Sequence, residues 1–151
     1  MKEKIIINIF AAFQFKSDYT TRIELEGAID EAILRIEEQC ENIKINYSTL
    51  KLKSNEFINT QIMDKINQSD ICIVNLTENN NNVLFELGYA CGKEKKCILL
   101  HHENAEINKI PSDLSGLYVL KYSNERLSIR LSSELINLVN STFACKKKGL
   151  I

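Results

Sequence analysis

The chain has 151 residues, 44% of them hydrophobic and 26% charged, with a formal net charge of −1. That is the size of one domain with an ordinary core, and so balanced a charge offers no attractive field for a nucleic acid partner. Five cysteines, an odd number with no C-x-x-C pair, argue for a reduced, cytoplasmic protein rather than a disulfide framework. The opening run M-K-E-K-I-I-I-N-I-F is too short for a signal peptide, and no stretch nears the roughly 18 apolar residues of a membrane span.

Strand and helix signals alternate along the chain. Ile5–Phe10 is a short β-branched run, read as a buried strand, and Ala11–Asp18 as the loop after it. Thr21–Gln39 has helical periodicity, with Ile23, Ala28 (or Gly27), Ile29, Ile33 and Ile36 as its apolar stripe. Ile43–Leu50 alternates like a strand. Ser54 is suited to cap a helix over Asn55–Gln68, where Phe57, Ile58, Ile62 and Ile66 recur at helical spacing. Ile71–Leu76 reads as a buried strand, Thr77–Asn81 as a polar loop, and Asn82–Gly92 as a third helix capped by Asn82. Cys97–Leu100 is a further apolar strand, and His101–Asp113 a loop holding the only proline, Pro111. Leu117–Tyr122 is the last strand and Glu125–Val139 the closing helix. Residues 1–142 thus form one α/β domain, and 143–151, with Lys146, Lys147 and Lys148, a short solvated basic tail.

Five strands in strict alternation with helices predict a parallel sheet covered on both faces, in the flavodoxin-like order 2-1-3-4-5. Ligands of such sheets bind at the carboxyl ends of the strands, beside the switch point between the first and third. The loops after those two strands carry Ala11, Ala12 and Phe13, then Asn75, Thr77, Asn80 and Asn82. Small alanines leave space; Phe13 is either a stacking surface for a base or a core contact. Lys16 and Arg22 are either phosphate partners or plain surface charges.

Several members of this architecture are excluded. No G-x-G-x-x-G follows the first strand and no G-x-x-x-x-G-K-[ST] occurs, so dinucleotide-binding and P-loop readings fail. A-A-F-Q-F is not a flavin phosphate loop, and Asn8, Ala11 and Asn75 stand where a phospho-receiver needs acids. No metal constellation stands out: His101 and His102 are adjacent, so on a strand end they point apart.

The segment N-N-N-N-V-L-F-E-L-G-Y-A places Glu86 in an apolar helix. An exposed Glu86 near a helix start would be favoured by the helix dipole and need no further account. A Glu86 enclosed by its apolar neighbours would have a raised pKa, as a catalytic carboxylate does. Gly88, costly in a helix, fits a close approach by a backbone or ligand.

The stretch D-I-C-I-V-N-L-T-E-N-N-N-N-V-L-F-E-L-G-Y-A-C-G-K-E-K-K-C-I-L-L, followed by I-P-S-D-L-S-G-L-Y-V-L-K-Y-S, resembles the TIR-like and nucleoside 2-deoxyribosyltransferase-like superfamily. The likeness spans roughly residues 54–139, with Asn75 where the family often has Asp. It implies a TIR-like fold and cleavage of an N-glycosidic bond, with Glu86 the catalytic carboxylate. It implies NAD or a related nucleotide as substrate, not as bound cofactor. An oxocarbenium-like sugar explains the need for a nearby negative charge. Among TIR-type members the resemblance implies an antiviral-defence NAD glycohydrolase that acts through self-association or a partner chain. The alternatives are a deoxyribosyltransferase or hydrolase, and a non-catalytic nucleotide sensor or adaptor.

Overall fold

The computed structural model describes residues 3–14, 16–49, 58–106 and 118–151, with the side chains of residues 58 and 59 left aside. Ser54, Phe57, Pro111 and the Pro-x-Asp-Leu-x-Gly turn lie outside the described residues. Five strands, β1 (Ile5–Ala12), β2 (Ile43–Thr49), β3 (Ile71–Asn75), β4 (Lys96–His102) and β5 (Val119–Tyr122), form one sheet in the order β2-β1-β3-β4-β5. Every neighbouring pair is parallel. The helices are α1 (Arg22–Gln39), α2 (Ile58–Gln68), α3 (Asn81–Gly92) and α4 (Leu127–Lys147), the last entered through a 3-10 turn at Asn124–Arg126.

Alternation along each strand builds two apolar layers. Ile7, Ile9, Ala11, Ile71, Ile73, Ile98 and Leu100 face α1 and α4. Phe10, Ala12, Cys72, Val74 and Leu99 face the other way, against Ile62 and Ile66 of α2 and Val83, Leu87 and Ala90 of α3. Neither layer is wet, which is why the central strands read as continuous apolar runs.

Element ends differ from the sequence expectation wherever a partner strand or cap decides them. Ala11 and Ala12 belong to β1, not to a loop, because β1 is central: Ala11 pairs with Thr49 and Ile73, and Ala12 with Val74. His101 and His102 likewise extend β4, paired with Lys121 and Tyr122. The stripe of α1 is Leu25, Ala28, Ile29, Ala32, Ile33 and Ile36; Ile23 is 83% exposed, off that stripe. Thr21 caps α1 in a reciprocal box with Glu24: the Glu24 N–H donates to Thr21 Oγ1 at 3.2 Å, and the Thr21 N–H to Glu24 Oε2 at 2.8 Å. Of the basic end, Lys147 and Lys148 are exposed as expected, but Lys146 is not. Helix α4 continues to Lys147, and Lys146 Nζ donates to Ile6 O at 2.9 Å and to Asp70 Oδ2 at 2.7 Å, closing the amino-terminal edge of the sheet. None of the described helices is long and apolar enough to cross a membrane.

Candidate active site

Helix α3 sets the site. Its cap is Asn80, not Asn82: Asn80 Oδ1 accepts from the N–H groups of Asn82 at 2.9 Å and Val83 at 3.4 Å. A side-chain oxygen reaches the second and third helical amides, so the cap must precede them by that distance. Asn79, just before, has φ 49°, a left-handed conformation that asparagine tolerates. With the cap at Asn80, Glu86 stands in the second turn of α3, past the reach of the amino-terminal dipole.

Glu86 is 7% exposed and shares the inward side of α3 with Val83, Leu87 and Ala90. Residues at i−4 and i+3 flank it along the helix, here Asn82 and Tyr89. Tyr89 Oη donates to Asn67 Oδ1 of α2 at 3.1 Å, so this flank is the one turned to α2. Asn82, one turn nearer the start of the helix, is exposed. Burial in this layer, reinforced by the nearby Cys72 thiol, pushes the Glu86 carboxyl up to about 7. Among the described residues no ion pair or hydrogen bond offsets that burial.

The other expected residues divide between the two sheet faces. Ala12 lies in the Glu86 layer, whereas Ala11 is 1% exposed in the layer under α1 and leaves no surface for a ligand. Phe13 also turns to the α1 side, with the Arg22 guanidinium 5.9 Å from its ring centre, so it is a partly buried core contact at the pocket rim. Asn75 and Thr77 are engaged in holding strand ends. Asn75 Nδ2 donates to Tyr122 Oη at 3.2 Å, and its Oδ1 accepts from the Thr77 N–H at 3.1 Å and from the Thr77 hydroxyl. Thr77 Oγ1 accepts from His102 N at 3.0 Å. An aspartate at position 75 could not make the donation to Tyr122, which gives the asparagine a structural reason. Phe13, Asn75 and Thr77 line one small depression with Gln14, Thr20, Arg22 and Glu78.

Gln14 joins the two halves across the strand ends. Its Oε1 accepts from Asn80 Nδ2 at 3.1 Å, and its amide donates to Glu78 Oε2. The loop after β1 is thereby tied to the cap of the Glu86 helix. Gly88 has no such role: a Cβ built there meets nothing within 4 Å, on the exposed side of α3. The close approach expected of it is absent among the described residues.

His102 packs between Tyr19 (5.4 Å between ring centres) and Tyr122 (5.2 Å), on the α1 side. His101 points to the opposite face by strand alternation, 1% exposed, its pKa lowered chiefly by burial and its Nδ1 without a partner. No described group of three or more His, Cys, Asp or Glu is arranged to hold a metal.

The sequence profile of the nucleoside 2-deoxyribosyltransferase family matches residues 18–139, most of the chain. This protein belongs to that family. No curated protein matches it. Among solved structures, it is similar to the CMP N-glycosidase of Clostridium botulinum, with 19% identity, TM-score 0.53, and coverage of 82% of this chain and 97% of that one. It is also similar to the TIR domain of a Toll-related receptor from Hydra magnipapillata, with 18% identity, TM-score 0.51, and coverage of 87% and 96%. At such identities the two likenesses establish the fold. The family profile covers all the segments on which Glu86, Asn80 and Asn82 stand.

Proposed function

We propose that this family member cleaves the N-glycosidic bond of a nucleotide, with Glu86 as the catalytic carboxylate. The observation that carries this reading is a carboxylate 7% exposed, without a compensating cation, on the inward side of the helix that follows β3. Burial of that kind is costly for stability and suits a group that must meet positive charge developing on a sugar. Ionised Glu86 either stabilises the oxocarbenium-like carbon by its charge or bonds to it covalently before water or an acceptor base arrives. Asn82 has the donors and acceptor to hold a ribose hydroxyl or a carboxamide beside it.

Among the described residues no second acidic side chain bears on Glu86, whose only interacting titratable neighbour is Cys72. A lone carboxylate suits a substrate whose leaving base is already a cation, which puts NAD first. Family membership supports a second substrate reading, a deoxynucleoside or nucleoside monophosphate, cleaved by water or by transfer to a free base. Incubation with NAD, with CMP, and with deoxynucleosides plus a free base, followed by chromatography of the released bases, separates them. Glu86→Gln should lower base release at least about 100-fold with the circular dichroism spectrum unchanged. The wild-type rate should rise with pH through about 7, where Glu86 ionises. A wild-type chain that binds a nucleotide at high protein concentration yet releases no base from any of these would make it a sensor instead.

A further inference from the structure

The sheet face beneath α2 turns polar where β1 meets β2. Phe10 and Ala12 of β1 lie in the layer under α2 and α3, so by alternation Ile6 and Asn8 face the same way. Register sets Lys44, Asn46 and Ser48 of β2 beside Ile6, Asn8 and Phe10. Asn46 Nδ2 donates to Asn8 Oδ1 at 3.4 Å, which leaves Asn8 Nδ2 and Asn46 Oδ1 without a partner among the described residues. Lys65 and Gln68 of α2, three positions apart, share one side of that helix. Asn67 is two residues on from Lys65, about 200° round the helix, and on that other side it accepts from Tyr89 of α3. Asn8, Asn46, Ser48, Lys65, Gln68 and Ser69 line a cavity of about 220 Å³. It lies on the flank of α2 turned away from the helix that carries Glu86.

A sheet edge wetted by solvent accounts for Asn46, which is exposed, but not for Asn8. Asn8 is half-buried on a central strand whose other residues are Ile, Phe and Ala, and strands disfavour asparagine. Lys65 is half-buried too, and neither it nor Gln68 nor the Ser48 hydroxyl has a hydrogen bond or ion pair among the described residues. No acidic side chain is in the lining. Asp70, which accepts the Asn8 N–H at 2.8 Å, is already paired with Lys146 at 2.7 Å. We propose that this cavity binds a small phosphorylated sugar. Lys65 is the cation of the lining and meets the phosphate as a point charge. The amides of Asn8, Asn46 and Gln68 each combine donors with an acceptor, which matches sugar hydroxyls that donate and accept in turn. Volume sets the size of the ligand. At about 30 Å³ per water, the cavity holds about seven waters, more than inorganic phosphate fills and far short of a dinucleotide. A pentose monophosphate fits between those limits.

The test is a binding titration and is independent of the glycosidase reading. Ribose 5-phosphate, ribose and inorganic phosphate are titrated separately into the isotope-labelled chain, and its amide resonances are followed by nuclear magnetic resonance. Ribose 5-phosphate should shift the side-chain amides of Asn8, Asn46 and Gln68, and should bind at least about tenfold more tightly than ribose or phosphate alone. Lys65→Gln should weaken that binding about tenfold or more, with the rest of the spectrum unchanged. Asn46→Asp sets a carboxylate in the lining at an exposed position, where the fold tolerates it, and should abolish binding. The proposal is overturned if those three side chains do not shift, or if the shifts are confined to Gln14, Asn80 and Asn82 beside the candidate active site. Equal affinity for inorganic phosphate, or undiminished binding by Lys65→Gln, would overturn it as well.

Discussion

Replacing Glu86 by glutamine tests the site through stability alone. The carboxyl has an ordinary pKa of 4.5 and stands at about 7 in the folded chain, where burial comes first among the causes and the Cys72 charge second. The folded state therefore holds a proton that the unfolded state has released between those two values, and stability falls as pH rises through that window. Below about pH 4 both states are protonated and the effect vanishes. Above 7 the folded chain carries a charge in an apolar layer; at 1.36 kcal/mol per pKa unit, the shift from 4.5 to about 7 is a cost of about 3 kcal/mol. Glutamine keeps the shape and cannot ionise. Its own unpaired amide has a desolvation cost, but that cost is the same at every pH. The assay is urea unfolding of wild type and Glu86→Gln at about pH 4 and about pH 8, compared as the difference between the two proteins. Relative to wild type, the variant should gain about 3 kcal/mol between the acid and alkaline measurements. If the difference between the proteins is the same at both pH values, the carboxylate is solvated or paired in solution, and the argument for its catalytic preparation fails.

Two further substitutions probe α3. Asn80→Ala removes the cap and the contact to Gln14, and should lower stability by about 1 kcal/mol in chemical denaturation while raising protease cleavage after Lys16; unchanged stability would mean that Asn82 or another group caps the helix. Gly88→Ala meets open space and should stabilise the helix by up to about 1 kcal/mol with base release unaltered. A loss of base release there would show that a ligand or partner approaches the exposed side of α3 after all.

The residues of α3 show how far local pattern reaches. N-N-N-N-V-L-F-E-L-G-Y-A announces a capped apolar helix with an acid in it, and the family profile agrees with the resemblance drawn from that stretch and the strands beside it. Which asparagine caps is a matter of side-chain reach, and four in a row offer the sequence reader no means of choosing. Ile23 shows the same limit at the start of α1, where the stripe could be drawn through it or past it until α4 and the sheet defined the buried side.

What the amino-acid order determined by itself was the alternation of strand and helix, the parallel sheet in the order 2-1-3-4-5, and the position of Glu86 on the third helix. These follow from periodicity and short connections, which act within a few residues or a few elements. The tertiary structure alone decided which side of the sheet each candidate faces. A strand shows its residues alternately, so Ala11 and Ala12 part company, as do His101 and His102, and Phe13 and Asn75 fall across the sheet from Glu86. It also decided what ties those parts together: Gln14 reaching Asn80, Asn75 reaching Tyr122, and Cys72 falling beside Cys97 in the strand register. Those contacts join residues far apart in the chain, and only the register of strands packed side by side brings them within reach.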